Sequence, residues 1–254
     1  MTLIKKIFKT LAVTALFSSA NVLAADFLVD TTINDSYSDA NGGWAYEIKK
    51  MDVQWADNDL VTVDIYTNFV GYNNRTSAGN SRIVLGDLLI GTKGDNNPFD
   101  YAFVLSDRDS NLYNGSKYRT KHWDKKGTLT EIDSTLSSKD YHGSPSNTGT
   151  GEVIADGTSG TSIEGDWSAD NYGWKTGKTD KISFSFNVNG IDAFQNASQL
   201  AFSWAMSCAN DIVHGVVNVD RPTSVPEPTT WLLMLLALVF MTKKHSKKAN
   251  DFSA

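Results

Sequence analysis

The sequence predicts an all-β protein whose core is an antiparallel β-sandwich of the jelly-roll or lectin-like type. Three observations support this prediction. Apolar and polar residues alternate with a period of two in several short runs, as they do in strands with one buried face. Gly, Asn and Asp clusters separate these runs. The central part of the sequence has no amphipathic pattern long enough for a helix of three turns.

About eight or nine short strands are predicted, each ending at turn residues. The apolar phase shifts between Ile48 and Met51, which predicts a β-bulge. The acidic segment 57–59 lies between two predicted strands and is expected to be a hairpin turn. The predicted strands lie within residues 46–55, 61–67, 82–90, 99–105, 128–132, 181–188, 201–206 and 212–219.

The chain has 254 residues, which accommodate one medium-sized domain and two terminal processing segments. Residues 25–224 are predicted to form a single sandwich domain that buries a core without disulfides or metals. Within it, 14 of the 23 residues of segment 143–165 are Gly, Ser or Thr. This composition predicts a long mobile loop inside the domain, with a linker between two modules as the alternative.

The predicted core is acidic. Residues 25–224 contain 16 Lys and Arg against 27 Asp and Glu, a net charge of −11. We therefore expect no nucleic-acid partner, because phosphate-binding domains are basic. The lone cysteine, Cys208, excludes a disulfide framework within the chain, a cysteine-cluster zinc site and the Cys–Trp–Cys frame of immunoglobulin domains. We expect Cys208 to be a buried, small apolar residue.

Residues 1–24 have the pattern of a secretory signal peptide. Lys5, Lys6 and Lys9 form its positive region, the apolar region contains Leu11–Phe17, and cleavage is expected after Ala24. The apolar region is too short to span a bilayer. Signal peptidase is therefore an expected partner, and the Sec route is the expected path of export.

Residues 225–254 combine three features in order. Pro226, Glu227 and Pro228 come first, the apolar run Trp231–Met241 follows, and then a cluster of lysines: Lys243, Lys244, Lys247 and Lys248. The prolines keep the first part extended, and the lysines favour the cytoplasmic side of a membrane. This order predicts that an exported chain halts in the membrane with the proline segment outside.

This segment resembles the PEP-CTERM sorting signal of bacterial surface proteins that are processed by exosortase, a membrane transpeptidase. Pro226, Glu227 and Pro228 match the motif, and the lysines stand where the family usually has arginines. Two departures are a run about half the length of a standard membrane span and an extra tail, Ala249–Ala254. An ordinary tail anchor is the alternative.

The resemblance implies delivery to the cell envelope, outer surface or extracellular matrix of a Gram-negative bacterium that makes exopolysaccharide. Exosortase and exopolysaccharide are then candidate partners, and membrane association through the hydrophobic sorting helix is transient. The core is also similar to the globular part of some exosortase-dependent surface proteins, in segments 63–69, 86–90, 101–105 and 204–213. That likeness implies a surface protein and no particular catalytic residue.

One segment is a candidate calcium site. Asp107, Asp109 and Asn111 place oxygen ligands at the opening spacing of a calcium loop. Leu112 and Tyr118 replace the Gly and the bidentate Glu of an EF-hand, so an EF-hand is excluded. The remaining alternatives are a looser calcium site between strands and a solvated turn.

Another segment is a candidate glycan platform. Trp167, Tyr172 and Trp174 lie close together in the sequence, with Asp and Asn between them. Aromatic faces can stack on the apolar faces of sugars while the polar side chains bind hydroxyl groups. The alternative for these residues is packing at the edge of the sandwich.

The sequence has no nucleophile elbow, zinc-protease motif, phosphate loop or dinucleotide fingerprint. His122, His142 and His214 lie on separate segments, and we expect them to be structural or on the surface. The acidic residues offer too many pairs to select a catalytic one. The sequence therefore favours a structural or adhesive surface protein that binds a glycan or calcium. The alternative is a secreted polysaccharide hydrolase with a carboxylate pair.

Overall fold

The computed structural model describes residues 27–36, 39–41, 43–70, 83–94, 99–105, 125–142, 149–157, 159–160, 162–170 and 180–221. Within these ranges the chain is mostly antiparallel β-structure. The strands are β1 Phe27–Asn34, β2 Ile48–Ala56, β3 Leu60–Thr67, β4 Leu88–Gly91, β5 Tyr101–Phe103, β6 Thr128–Glu131, β7 Ser134–Ser137, β8 Glu152–Asp156, β9 Ser162–Asp170, β10 Lys181–Asn187, β11 Gln199–Ala205 and β12 Ile212–Asn218. The helices in these ranges are short: a 3-10 turn Trp44–Tyr46, α1 Ser138–His142 and α2 Asp192–Gln195.

Ten of the strands form one antiparallel sheet in the order β1-β2-β3-β10-β9-β6-β5-β4-β11-β12. Its two edge strands approach each other. The N–H of Asp220, just after β12, donates to the carbonyl of Leu28 in β1 over 2.8 Å. Gly215 of β12 packs against Ile33 of β1, and a Cβ at position 215 would lie 2.7 Å from that side chain. The sheet is therefore nearly closed.

Apolar side chains from the inner face of this sheet form one large core. Phe103 of β5 lies across the core from β10, where its ring centroid is 5.4 Å from that of Phe184 and 5.7 Å from that of Phe186. All three rings are almost fully buried. Strands from before and after segment 143–165 thus share one core.

The strands β7 and β8 pair separately as a two-stranded sheet. Ala155 of β8 packs with Leu89 and Ala102, which alternate with core residues of β4 and β5 and so point to the outer face of the large sheet. Val153 packs against Ala205 on the same face. The small sheet therefore covers part of the outer face of the large one.

Each of the predicted strand segments overlaps a strand of the structure. The predicted bulge is confirmed, because the pairing of β2 with β3 shifts register between Ile48 and Lys50. The predicted hairpin turn is confirmed as well. Asp59 has a positive φ of 63°, and the Oδ1 of Asn58 accepts the N–H of Leu60 at 3.2 Å.

The prediction of a loop over 143–165 was wrong for many of its described residues, which form β8 and the first part of β9. A high content of Gly, Ser and Thr does not by itself indicate a flexible loop. Some of these residues are small because space is limited. At Gly165, a Cβ would lie 2.6 Å from the ring of Phe103.

The chain divides into two compact units, Met1–Asp220 and Arg221–Ala254. Arg221 alone represents the second unit among the described residues. Of the helices that the structure describes, none is long and apolar enough to cross a membrane. The predicted sorting segment Trp231–Met241 lies outside the described residues.

Candidate functional site

Trp167 is the one residue of the predicted site sets that the structure describes. It lies on β9 with 38% of its surface exposed, and the ammonium of Lys126 is 5.3 Å from its ring centroid. One aromatic side chain of the predicted glycan platform is therefore available at the surface. The other predicted site residues lie outside the described residues: Ala24, Asp107, Asp109, Asn111, Tyr172, Trp174, Pro226, Glu227 and Pro228.

The structure brings together three carboxylates that the sequence did not connect. Asp35 follows β1, Asp39 lies in the next loop, and Asp211 lies in the turn before β12. One carboxylate oxygen of each lies within 4.8 Å of the others. We call this group the carboxylate cluster.

The approach of the two sheet edges positions the carboxylate cluster. The N–H of Asn41 donates to the carbonyl of Asn210 over 2.6 Å, which attaches the loop after β1 to the turn before β12. The N–H of Asp35 donates to the carbonyl of Lys49 at 3.2 Å. These backbone contacts keep Asp35 and Asp39 close to Asp211.

Asp211 is the most buried member of the cluster, with 7% of its surface exposed. Its Oδ2 accepts the N–H of Ile48 at 2.6 Å, and its Oδ1 accepts the N–H of Ile212 at 2.9 Å. Two backbone donors thus fix the orientation of this carboxylate. Burial nevertheless raises its pKa, and the charge of Asp39 raises it further.

The negatively charged form of Asp35 is strongly disfavoured in the cluster. Burial and the negative charge of Asp211 raise the pKa of Asp35 to about 7. Its Oδ2 is buried and has no hydrogen-bond partner within the described part of the chain. Three carboxylates so close together repel one another unless a proton or a cation reduces their charge.

The ligand set of the cluster decides which cation suits it. All three side chains offer carboxylate oxygens, which are the ligands of hard cations such as Ca²⁺. Calcium also tolerates irregular geometry and takes its remaining ligands from carbonyls and water. The cluster can therefore hold calcium or bind a proton.

Sequence reasoning missed this cluster. The nearest local signal is the Asn210–Asp211 pair, a combination that is typical of turns and points to no ligand. Asp35 and Asp39 lie near the other end of the domain, and nothing in their spacing points to Asp211. A prediction that β1 and β12 are neighbours would have been needed to connect them.

Cys208 is a buried structural residue, as the sequence predicts. It is 3% exposed, and burial raises the pKa of its thiol to about 11. At neutral pH the side chain is therefore the thiol, which is a poor nucleophile and a poor metal ligand. His214 is exposed on β12, whereas His122 and the side chain of His142 lie outside the described residues.

Three comparisons, with protein-family models, with curated proteins and with solved structures, find no match for the chain.

Proposed function

We propose that this chain is an exported cell-surface or matrix protein without catalytic activity, whose β-domain binds calcium at the carboxylate cluster. The observation that supports calcium binding is the convergence of three carboxylates, one of which, Asp35, has a buried Oδ2 with no hydrogen-bond partner among the described residues. Extracellular calcium modules bind with dissociation constants of about 10⁻⁴ to 10⁻³ M. A site of this strength would fill outside the cell. A second proposed calcium site consists of Asp107, Asp109 and Asn111.

Export and sorting are supported by the two terminal segments of the sequence. Residues 1–24 fit a signal peptide, and residues 225–254 combine the Pro-Glu-Pro motif with an apolar run and lysines. Signal peptidase and exosortase are then the processing partners. Within this proposal the core is a lectin-like or jelly-roll sandwich, supported by the antiparallel strands that enclose one large apolar core. We also propose that a platform formed by Trp167, Tyr172 and Trp174 binds glycans.

Calcium is expected to raise the melting temperature at pH 8. A ligand that binds the folded state alone stabilises it by RT ln(1 + [L]/Kd), about 1.4 kcal/mol for roughly 10 mM calcium and a Kd of about 1 mM. Asp35→Asn removes one charge with little change of shape and is expected to abolish most of this gain. The measurement is thermal unfolding of the full-length chain with calcium or with EDTA.

The matched control is Asp166→Asn, which changes an exposed aspartate on β9 and should leave the calcium effect unchanged. A wild-type melting temperature that does not respond to calcium would refute the cation site. An equal response in Asp35→Asn would refute the role of Asp35.

Without divalent cations, the stability of the protein is expected to fall as the pH rises through about 7. The pKa of Asp35 rises from its ordinary value of 3.8 to about 7 in the folded state, so the folded state binds the proton more tightly. This stabilisation is complete below about pH 4 and is lost as the pH rises through about 7. In EDTA, unfolding curves between these pH values should have a weaker pH dependence for Asp35→Asn. The same slope in both proteins would contradict the assignment.

Processing of the tail is expected to remove the chain from about Trp231 onward, as well as residues 1–24. Intact-mass analysis of the mature protein from its native host measures both losses. Replacing Pro226, Glu227 and Pro228 together with alanine should leave the tail attached. A native tail found intact at the cell surface would favour a simple tail anchor.

A secreted polysaccharide hydrolase is the second candidate function. One observation favours it: the pKa of Asp35 is raised beside a second carboxylate, Asp211, as in the acid–base pairs of glycosidases. A glycan array with and without EDTA separates the two functions. Binding without turnover fits the surface protein, whereas release of reducing ends that Asp35→Asn abolishes fits the hydrolase.

A further inference from the structure

A cavity of about 300 Å³ opens where the beginning of β8 meets β11 and β12. Three polar side chains line it: Glu152 of β8, Ser203 of β11 and His214 of β12. Phe99 and Ile212 supply apolar surface. Polar groups from three strands thus converge on a space with apolar walls, which is the usual composition of a small-molecule site.

Pairing of the strands fixes two of the polar groups. Ser203 and His214 are direct partners across β11 and β12, so their side chains lie on the same face of the sheet. Ser203 is only 5% exposed. The ring of Phe99 meets the imidazole of His214 edge-on, with centroids 6.1 Å apart. This pair of rings forms one wall of the cavity.

Glu152 carries the strongest indication of a ligand. Its Oε2 is buried and has no hydrogen-bond partner in the described part of the chain. A buried acceptor without a donor is costly, so the Glu152 side chain is stabilised if it turns this oxygen toward a hydrogen-bond donor in the cavity that it lines. The register of β7 with β8 also shifts beside this residue, between Leu136 and Ser137, and such bulges often re-aim side chains next to functional sites.

We infer that this cavity binds a single sugar unit, either a free monosaccharide or a terminal residue of a glycan. The carboxylate of Glu152 accepts hydrogen bonds from sugar hydroxyls, and Ser203 and His214 bind further hydroxyls. Phe99 and Ile212 contact the C–H face of the ring, as apolar side chains do in sugar sites. The choice of a sugar rests on the proposed surface function. The cavity shares no side chain with the carboxylate cluster or the tail, although the backbone N–H of Ile212 donates to Asp211.

Saturation-transfer NMR on the full-length chain tests the inference with glucose, galactose, mannose, rhamnose and N-acetylglucosamine at millimolar concentrations. At least one sugar is expected to bind. Glu152→Gln should weaken its affinity at least about tenfold, because it replaces an acceptor oxygen with a donor group. Ser203→Leu should block binding by filling the cavity. Glu164→Gln, an exposed glutamate on β9, is the matched control and should bind like the wild type.

Several results would overturn the inference. No binding of any of these sugars would do so, as would undiminished binding in both cavity variants. Binding of ethanolamine in place of the sugars would reassign the cavity to amines. Melting curves of each variant establish that it is folded. Because the calcium and tail experiments do not use the cavity, its failure is distinguishable from failure of the proposed function.

Discussion

Replacing Asp87 with alanine is expected to lower the free energy of unfolding by about 2–6 kcal/mol, because two buried N–H groups lose their acceptor at about 1–3 kcal/mol each. Asp87 is completely buried. Its Oδ1 accepts the N–H of Leu105 at 2.8 Å, and its Oδ2 accepts the N–H of Ala155 at 2.9 Å. The side chain thus attaches β8 to the large sheet. Urea denaturation measures the change.

Asp87→Asn separates the hydrogen bonds from the volume of the side chain. The amide keeps one acceptor oxygen, so a smaller loss of about 1–3 kcal/mol is expected. Asp166→Ala, at an exposed position, should change stability by less than about 0.5 kcal/mol. If Asp87→Ala were as stable as the wild type to within about 1 kcal/mol, Asp87 would not be an anchor of the small sheet.

Replacing Gly86 with alanine is expected to cost about 3 kcal/mol or more. A Cβ at this position would collide with the carbonyl oxygen of Ala205 and lie 2.7 Å from that of Val153. Both are backbone atoms, and hydrogen bonds from Gly86 and Asp87 hold them in place. No rotation of a side chain can relieve the collision, so the backbones of β11 and β8 must move away from position 86. Urea denaturation gives the loss of stability, and hydrogen exchange should locate it in β8 and at the end of β11.

Gly91 provides the matched glycine control. A Cβ there would lie 3.4 Å from the Cβ of Ala201, which is close to an ordinary contact. Gly91→Ala is therefore expected to change stability by less than about 1 kcal/mol. Equal losses at positions 86 and 91 would mean that the close approach of the Ala205 and Val153 carbonyls to Gly86 does not limit stability.

The strands that the sequence predicts have alternating apolar residues, because such strands contribute one face to the large core. Strands without this signal were missed. In β7, Ser134–Ser137, three of four side chains are polar, and the strand belongs to the small outer sheet. Most residues of β9 are at least partly exposed, so its composition resembles that of a loop. Burial on one face is the physical cause of the pattern, and strands with little burial do not carry it.

Neither candidate site could be predicted from the sequence. The carboxylate cluster joins Asp35 and Asp39 to Asp211 across the gap between β1 and β12. The cavity joins Glu152 of the small sheet to Ser203 and His214 of the large one. Both sites combine residues from segments that are distant in the sequence.

The sequence by itself determined the antiparallel β class, the bulge at Ile48, the turn at 57–59, the acidic charge of the core and the buried state of Cys208. Each of these depends on local pattern or composition. The tertiary structure alone decided that β1 lies beside β12 and that β8 lies over β4 and β11. A period of two specifies which face of a strand is buried. It carries no information about which strand becomes the neighbour, because closure of the sheet around the core decides that.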